Sequence, residues 1–192
     1  MTTWTAIGAI ATFLVVFFAL YGEKFRSAIW GPKIEIFHEN ALPYNKEAGH
    51  KMDGERVEGL YIRLKIWNKG HSTAHGVYGK LTKIVGGNEM KGFDTFDPTI
   101  LKWVSTQKCE PINLCPRDED FLDVLFAPRD ATYFKILTVD YSVGSQIKFK
   151  MDSDPYKLYI SIYSDDAPTE SKIYRLTFDE QQYFNCAKFE EI

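Results

Sequence analysis

The first hydrophobic feature of the chain is a continuous apolar run near its N-terminus. Residues 1–22 carry no charged side chain, and the stretch from Trp4 to Tyr21 reads WTAIGAIATFLVVFFALY. In a helix these 18 residues would extend roughly 27 Å, close to the thickness of a bilayer's hydrocarbon core. Trp4 and Tyr21 stand at the two ends, where aromatic side chains favour the membrane interfaces. The pattern predicts a single membrane-spanning helix over residues 4–21.

A cleaved signal peptide is the competing interpretation of this run. Such a peptide has a basic region before the apolar stretch, a shorter apolar stretch and a small-residue cleavage site. Here the first charged side chain is Glu23, after the apolar run, and no small-residue cleavage pattern follows. We therefore expect the helix to be retained as an anchor in the lipid bilayer.

The positive charges that flank the apolar run predict its orientation. No Lys or Arg precedes the helix, whereas Lys24, Arg26 and Lys33 follow it. Because cytoplasmic flanks carry the excess of Lys and Arg, we expect the N-terminus outside and the remainder of the chain in the cytoplasm. The predicted localisation is the inner membrane of a bacterial cell, as a single-pass protein.

The helix is expected to extend beyond the bilayer and then stop. Apolar residues recur at four-residue spacing as far as Ile29, and Gly31 followed by Pro32 is a typical helix end. The chain therefore divides into residues 1–31, the membrane helix with its juxtamembrane extension, and residues 32–192, a soluble β domain.

Small residues form a stripe on the predicted membrane helix. Thr5, Gly8 and Thr12 lie on one helical face, which would permit close packing of two helices and hence a homo-oligomer. Ordinary small residues in a lone anchor are the alternative interpretation.

Beyond Pro32 the hydrophobic period changes to two, which is typical of half-buried strands. Turn-forming residues, rich in Gly, Pro, Asn and Asp, separate the alternating runs. The pattern predicts strands over residues 33–38, 59–68, 75–85, 100–104, 121–127, 132–138, 146–150, 157–164 and 171–179.

Many short strands without a long amphipathic helix predict an all-β fold, an antiparallel β-sandwich. Closure of the strands into a barrel is the alternative. The polar stretch 40–58 is expected to be a long loop between the first two strands. The C-terminal residues 180–192 fit either a short helix or an edge strand.

One turn in this pattern has a distinctive sequence. The segment 61–77 is YIRLKIWNKGHSTAHGV, in which a strand ends at Asn68 and Gly70 and a small residue, Ala74, opens the next strand. Asn and Gly tolerate the positive φ that we expect such a turn to demand, and Ala74 would fit against the returning sheet.

This segment resembles immunoglobulin-like β-sandwich modules of bacterial proteins, as does PINLCP at 111–116 followed by the run FLDVLF at 121–126. The resemblance covers roughly residues 59–85 and 110–127. It implies an immunoglobulin-like fold and assigns no activity.

Composition supports a folded domain and argues against one class of partner. The chain is 45% hydrophobic, 26% charged and 15% aromatic, with a net charge of −3. Globular domains have this balance, whereas nucleic-acid binding generally requires a strong basic excess. We expect no nucleic-acid partner.

The cysteines are too few for a disulfide-stapled scaffold. Of the three, Cys109 and Cys115 are close enough in sequence to pair in an oxidising compartment, while Cys186 stands alone. Reduced thiols in a cytoplasmic domain are the favoured interpretation, and pairing is left open.

No catalytic or metal-binding pattern is present. His71 and His75 have helical metal-ligand spacing but fall in a predicted hairpin connection, and the acidic clusters at 118–120, 152–154 and 165–166 lack the spacing of a calcium loop. No nucleophile-bearing turn of the G-x-S-x-G type occurs. We expect neither an enzyme, a metal site nor a cofactor.

The strand over residues 59–68 provides the candidate site. Tyr61, Arg63, Lys65 and Trp67 alternate with apolar residues and form a mixed basic and aromatic face, the composition found in protein interfaces. Packing against the other sheet or against the loop 40–58 is the alternative role of this face.

The favoured hypothesis is therefore a cytoplasmic protein- or ligand-binding module tethered to the membrane. The alternative is a membrane effector whose helix oligomerises and perturbs the bilayer when the β domain senses a signal.

Overall fold

A computed structural model describes most of the β domain and scattered positions before it. The described residues are 11–13, 15–17, 19, 22, 29–52, 55–86, 98–129, 131–138, 148–151, 154–178 and 187–192.

The described positions between 11 and 30 are helical, and the helix ends at Trp30, immediately before Gly31. Their large apolar side chains are exposed, and Phe13 is 69% accessible. Among the described residues, the structure has no helix that combines the length and the apolar character needed to cross a bilayer. The predicted span over residues 4–21 falls largely outside the described residues, as do Thr5 and Gly8 of the small-residue stripe, so the anchor stays a prediction.

The rest of the described chain is built from strands joined by turns. The strands are β1 (Ile34–Phe37), β2 (Asn45–Met52), β3 (Glu55–Asn68), β4 (Ala74–Val85), β5 (Thr99–Ile100), β6 (Lys102–Trp103), β7 (Ile112–Leu114), β8 (Glu119–Pro128), β9 (Tyr133–Ile136), β10 (Lys148–Lys150), β11 (Tyr156–Tyr163), β12 (Glu170–Thr177) and β13 (Lys188–Glu191).

The first sheet is organised around β3, the longest of these strands. One edge of β3 pairs with β8, and its other edge pairs with β2 along its first half and with β1 at its end. The far edge of β8 carries β6 and β9, and β10 follows β9. All these pairings are antiparallel.

The second sheet runs in the order β13-β12-β11-β4, with β5 and β7 both on the remaining edge of β4. Its pairings are also antiparallel, and the β4–β11 register shifts between Tyr159 and Ile160.

A single large cluster of buried side chains draws on both sheets. Its fully buried members include Leu64, Leu122 and Trp103 from the first sheet and Leu81 and Leu158 from the second. Two antiparallel sheets that share one apolar core are compatible with a β-sandwich, since each sheet buries one face and exposes the other. The predicted all-β class is confirmed.

The prediction of a long loop over residues 40–58 is wrong. Residues 45–52 form β2, which pairs along its full length with the first half of β3, so that β3 begins at Glu55. The sequence of β2, NKEAGHKM, lacks apolar alternation because an edge strand at the periphery buries little of either face. The paired backbone holds this hairpin, together with Ala48 and His50, which pack on the cluster around Tyr61.

Two other regions refine the predicted strands. The single strand expected at 100–104 is interrupted at Leu101, which separates β5 in the second sheet from β6 in the first. Of the alternatives for residues 180–192, an edge strand is found at its end, where β13 pairs with β12.

Asn68 ends β3 and connects three parts of the domain. Its fully buried amide oxygen accepts hydrogen bonds from the backbone N–H groups of Lys33 (3.1 Å) and Gly70 (3.0 Å). Its amide nitrogen donates to the carbonyl oxygens of Ser72 (2.8 Å) and Leu114 (3.0 Å). One side chain thereby joins the start of β1, the β3–β4 turn and the end of β7.

This network corrects the physical reason that we expected for the Asn-x-Gly turn. The positive φ values of the described chain occur at other positions, such as Gly76, and not at Asn68 or Gly70. Asn is needed for its amide group. Gly70 is needed because a Cβ there would lie 2.4 Å from the carbonyl oxygen of Gly31 and 2.5 Å from the nitrogen of Lys33. Ala74 is fully buried, as expected.

Candidate functional site

The four residues of the predicted site do share one face of β3. They alternate with residues of the central core, so the face lies on the outer side of the first sheet, away from the second sheet. The exposure of these side chains differs along the strand. Tyr61 is buried, whereas Arg63, Lys65 and Trp67 are half-buried.

The Tyr61 end of the face belongs to a small second core. Tyr61 packs on Phe126 with ring centres 4.8 Å apart, and Leu137 completes the buried cluster. His50, from β2, closes over it, with Nδ1 2.7 Å from the Tyr61 hydroxyl oxygen. Only 7% of Tyr61 is accessible, so this residue supports the sheet and does not offer a contact surface.

Burial changes the acid–base behaviour of this aromatic cluster. Desolvation, assisted by the negative charge of Asp123, raises the pKa of Tyr61 to about 12. Desolvation also lowers the pKa of His50, and the positive charge of Lys102 acts in the same direction. The Tyr61 hydroxyl therefore stays protonated at neutral pH, and His50 favours its neutral form.

Arg63 is held in a buried ion pair. Its Nε lies 2.7 Å from Oδ1 of Asp123 on β8, while Nζ of Lys102 on β6 lies 3.8 Å from Oδ2. The Asp123 side chain is only 1% exposed. Removing one partner from a buried pair typically costs about 3–5 kcal/mol, because the remaining charge stays desolvated. The group therefore fixes the register of three strands.

The accessible part of the face lies at the end of β3. We call Phe37, Lys65, Trp67 and Lys69 the Trp67 patch. The ammonium of Lys65 lies 5.4 Å from the ring centre of Phe37 and 5.5 Å from that of Trp67, and the ammonium of Lys69 lies 4.9 Å from the Trp67 ring centre. These are cation–π distances, so two cations bracket one indole.

Carboxylates complete the Trp67 patch. Lys65 pairs with Glu119 at 3.2 Å, and Lys69 pairs with Glu35 on β1. Burial opposes the charged form of Lys65, but the hydrogen bond to Glu119, the negative charge of Glu119 and the interactions with Tyr44 together outweigh it and raise the pKa of Lys65. The patch therefore presents a half-exposed indole surrounded by fixed charges of both signs, which suits recognition of another surface.

Among the described residues, the structure does not bring the histidine, acidic and cysteine side chains named above together into a site. His75 lies in the β4 bulge, with Nε2 4.0 Å from Oδ2 of Asp166, and Asp166 accepts a hydrogen bond from the His75 backbone. Within the described ranges, no group of three His, Cys, Asp or Glu side chains has the geometry to hold a metal ion. Cys109 and Cys115 are both thiols.

A groove of about 530 Å³ lies on another part of the domain, beside the start of β2. Its lining comprises Asn40, Ala41, Leu42, Asn45, Lys46, Glu47, Leu60 and Ala187. The buried amide oxygen of Asn45 has no hydrogen-bond partner among the described residues. The groove shares no residue with the Trp67 patch.

Several residues on the outer face of the first sheet could not be found from the sequence. Asp123 lies 60 positions from Arg63, and no local signal links the two. Phe37 joins the patch only through the β1–β3 register, which pairs it with Lys65, and Lys69 lies just beyond the predicted strand.

The fold and the site together define a two-sheet antiparallel β protein with a mixed aromatic and charged patch on the outside of one sheet. No protein-family model matches this chain, and no curated protein or solved structure is significantly similar to it.

Proposed function

We propose that this protein is a membrane-anchored binding module and that the Trp67 patch contacts a protein partner. The observation that carries the proposal is the half-exposed indole of Trp67 between the ammonium groups of Lys65 and Lys69. Trp is one of the residues that contribute the largest share of the binding energy in protein interfaces. Phe37, which is 39% exposed, extends the apolar part of the patch.

The ion pairs that hold the lysine side chains of the Trp67 patch favour binding. Both lysines are already held by carboxylates, so less side-chain entropy is lost when a partner docks. The carboxylates also restrict the partner, because a surface of one charge sign would meet repulsion as well as attraction. A partner with an apolar centre and mixed charges at its rim fits best.

The proposed fold is the immunoglobulin-like form of the β-sandwich. In support, β1, β3, β8 and β6 follow one another in the first sheet, and β4, β11 and β12 follow one another in the second. This is the order of strands A-B-E-D and C-F-G in immunoglobulin domains. The strands β2, β9 and β10 would then be additions to the first sheet.

The proposed anchor is the helix over residues 4–21, with the domain in the cytoplasm. Exposed apolar side chains at Phe13, Val15 and Phe17 support a lipid environment for this segment. The thiols at Cys109 and Cys115 are consistent with a reducing compartment.

Site-directed crosslinking tests the proposed function. A photoreactive phenylalanine analogue in place of Phe37, which leaves the Trp67 indole intact, should give one discrete adduct with a second protein in the native membrane. A Lys69→Glu substitution should reduce the adduct several-fold, because it reverses a fixed charge beside the indole.

The matched control carries the same analogue at Lys51, an exposed position on β2 away from the patch. Equal adducts at both positions, or none at position 37, would contradict a binding role for the Trp67 patch.

A further inference from the structure

The outer side of the second sheet carries a group of cations that alternation in single strands does not reveal. Core residues such as Leu81, Leu158 and Leu176 point inward, so their neighbours in sequence point outward. We call the outward set the second-sheet basic face. It comprises Lys80, Lys83, Lys157, Arg175 and Lys188, together with Tyr78, Tyr159 and Tyr163.

Strand register places these side chains side by side. Tyr159 pairs with Lys83 across β4 and β11, and Lys157 pairs with Arg175 across β11 and β12. The ammonium of Lys83 lies 5.7 Å from the Tyr159 ring centre. The cations therefore form one continuous surface over four strands.

The charge of this face is not neutralised. Among the described residues of these four strands, five outward cations stand against one outward carboxylate, that of Glu190 opposite Arg175. Within the described ranges no carboxylate forms an ion pair with any of the five. On the first sheet, by contrast, Arg63, Lys65 and Lys69 all have carboxylate partners. The second-sheet basic face is thus positive in a chain whose net charge is −3.

The chemistry of the face favours a phosphate-bearing lipid surface over other anions. Four of its five cations are lysines, which act as mobile point charges and suit a diffuse array of anionic headgroups better than one anion of fixed geometry. Tyr78 and Tyr163 stack on each other at 5.2 Å with Lys80 close to both rings, so these ring faces are already partly covered against stacking with bases. The four strands spread these cations over a broad surface, which matches an extended array of headgroups.

We infer that the second-sheet basic face docks on the anionic headgroups of the bilayer in which the chain is anchored. This inference rests on the proposed anchor, which would hold the face near the headgroups at a high effective concentration. The linker is short, since the N–H of His71 donates to the carbonyl of Gly31, directly after the last helical residue. Tyrosine side chains would sit at the interface beside the lysines.

Amine footprinting of the full-length protein in vesicles tests the inference. The protein is reconstituted in phosphatidylcholine alone and in an equimolar mixture with phosphatidylglycerol, and lysine acetylation is followed by mass spectrometry. Lys83, Lys157 and Lys188 should react about tenfold more slowly in the anionic vesicles, and high salt should abolish the difference. The exposed Lys51 and Lys108 serve as internal controls and should react equally in both.

A charge-reversal variant provides the second measurement. Lys83→Glu with Lys157→Glu should remove the protection of Lys188, whereas Lys51→Glu should leave it unchanged. Equal reactivity of Lys188 in both vesicle types would overturn the inference. Protection that appears in phosphatidylcholine vesicles only after addition of poly(dT) or polyglutamate would also overturn it and would assign the face to that polymer.

Flotation of the vesicles distinguishes a failure of the proposed anchor from a failure of the inference. A chain that does not float with either type of vesicle would contradict the proposed anchor, and the inference with it. A chain that floats with both but shows no selective protection would contradict the inference alone.

Discussion

His38 and His50 both pack against aromatic rings and receive little compensation for a positive charge. The ring centre of His38 lies 5.0 Å from that of Phe189, and its Nδ1 donates a hydrogen bond to the Arg63 carbonyl at 2.8 Å. His50 lies 5.0 Å from the Phe126 ring centre. Desolvation is the largest cause of a lowered pKa at both histidines, so the folded protein favours their neutral forms.

These shifts predict a loss of stability in mild acid. Below the ordinary histidine pKa of 6.5 the unfolded chain binds protons that the folded protein does not yet bind. The free energy of unfolding should therefore be constant above that pH and decrease as the pH falls from 6.5 towards the lowered folded-state values. Urea unfolding of the full-length protein in detergent, followed by tryptophan fluorescence between pH 7.5 and pH 5.5, measures the slope.

A double substitution tests which groups are responsible. His38→Gln with His50→Gln should flatten the slope, while His71→Gln, at an exposed position, should leave it unchanged. An unchanged slope in the double variant would assign the acid sensitivity to other groups.

The candidate site shows what the alternation of residues along one strand can and cannot predict. Alternation along β3 predicts that Tyr61 and Trp67 share a face, because successive side chains of a strand point to opposite sides. It does not predict that Tyr61 is covered while Trp67 is accessible. The burial of Tyr61 depends on His50 and Phe126, which lie on two other strands, β2 and β8.

At the level of elements, strands that line the core were predictable and peripheral strands were not. The runs in β3, β8, β11 and β12 alternate because one face packs in the core, and that packing is recorded in the sequence. The strand β2 packs little and β7 is three residues long, so neither leaves a hydrophobic period. Their backbone pairing depends on neighbours far along the chain.

The hydrogen bonds of Asn68 join the start of β1, the β3–β4 turn and the end of β7. Asn68→Ala should lower the free energy of unfolding by roughly 2–4 kcal/mol, because it removes several buried hydrogen bonds and leaves buried backbone groups unpaired. Urea unfolding under the conditions above, at neutral pH, measures the change.

Asn113 provides the matched control for this substitution. Its exposed side chain accepts a single hydrogen bond, from the N–H of Gly76 at 3.1 Å, so Asn113→Ala should cost about 1 kcal/mol or less. Equal losses for the two variants would show that Asn68 does not join the elements as its contacts indicate.

At the scale of the whole molecule, the two outer sheet faces differ in how their charges are arranged. Around Trp67, the first-sheet face pairs its cations with carboxylates, which favours selective contact with a protein. The second-sheet basic face leaves its cations unneutralised by ion pairs in the described chain, which favours a uniformly anionic surface. Overall composition hides this difference, because the net charge averages both faces and the loops.

The proposed anchor would connect these two proposed roles, since a tethered domain can hold one face to the bilayer and offer the other to a partner. Arginine in the middle of a membrane helix costs about 2.5–3.5 kcal/mol per residue on insertion scales. Val15→Arg with Phe17→Arg should therefore release a chain that only this helix holds in the membrane.

Alkaline carbonate washing of membranes that contain the full-length protein is the most direct test. The unsubstituted chain should remain in the membrane pellet, and the double-arginine variant should move to the supernatant. Release of the unsubstituted chain by the wash would contradict a membrane-spanning anchor and the cellular arrangement built on it.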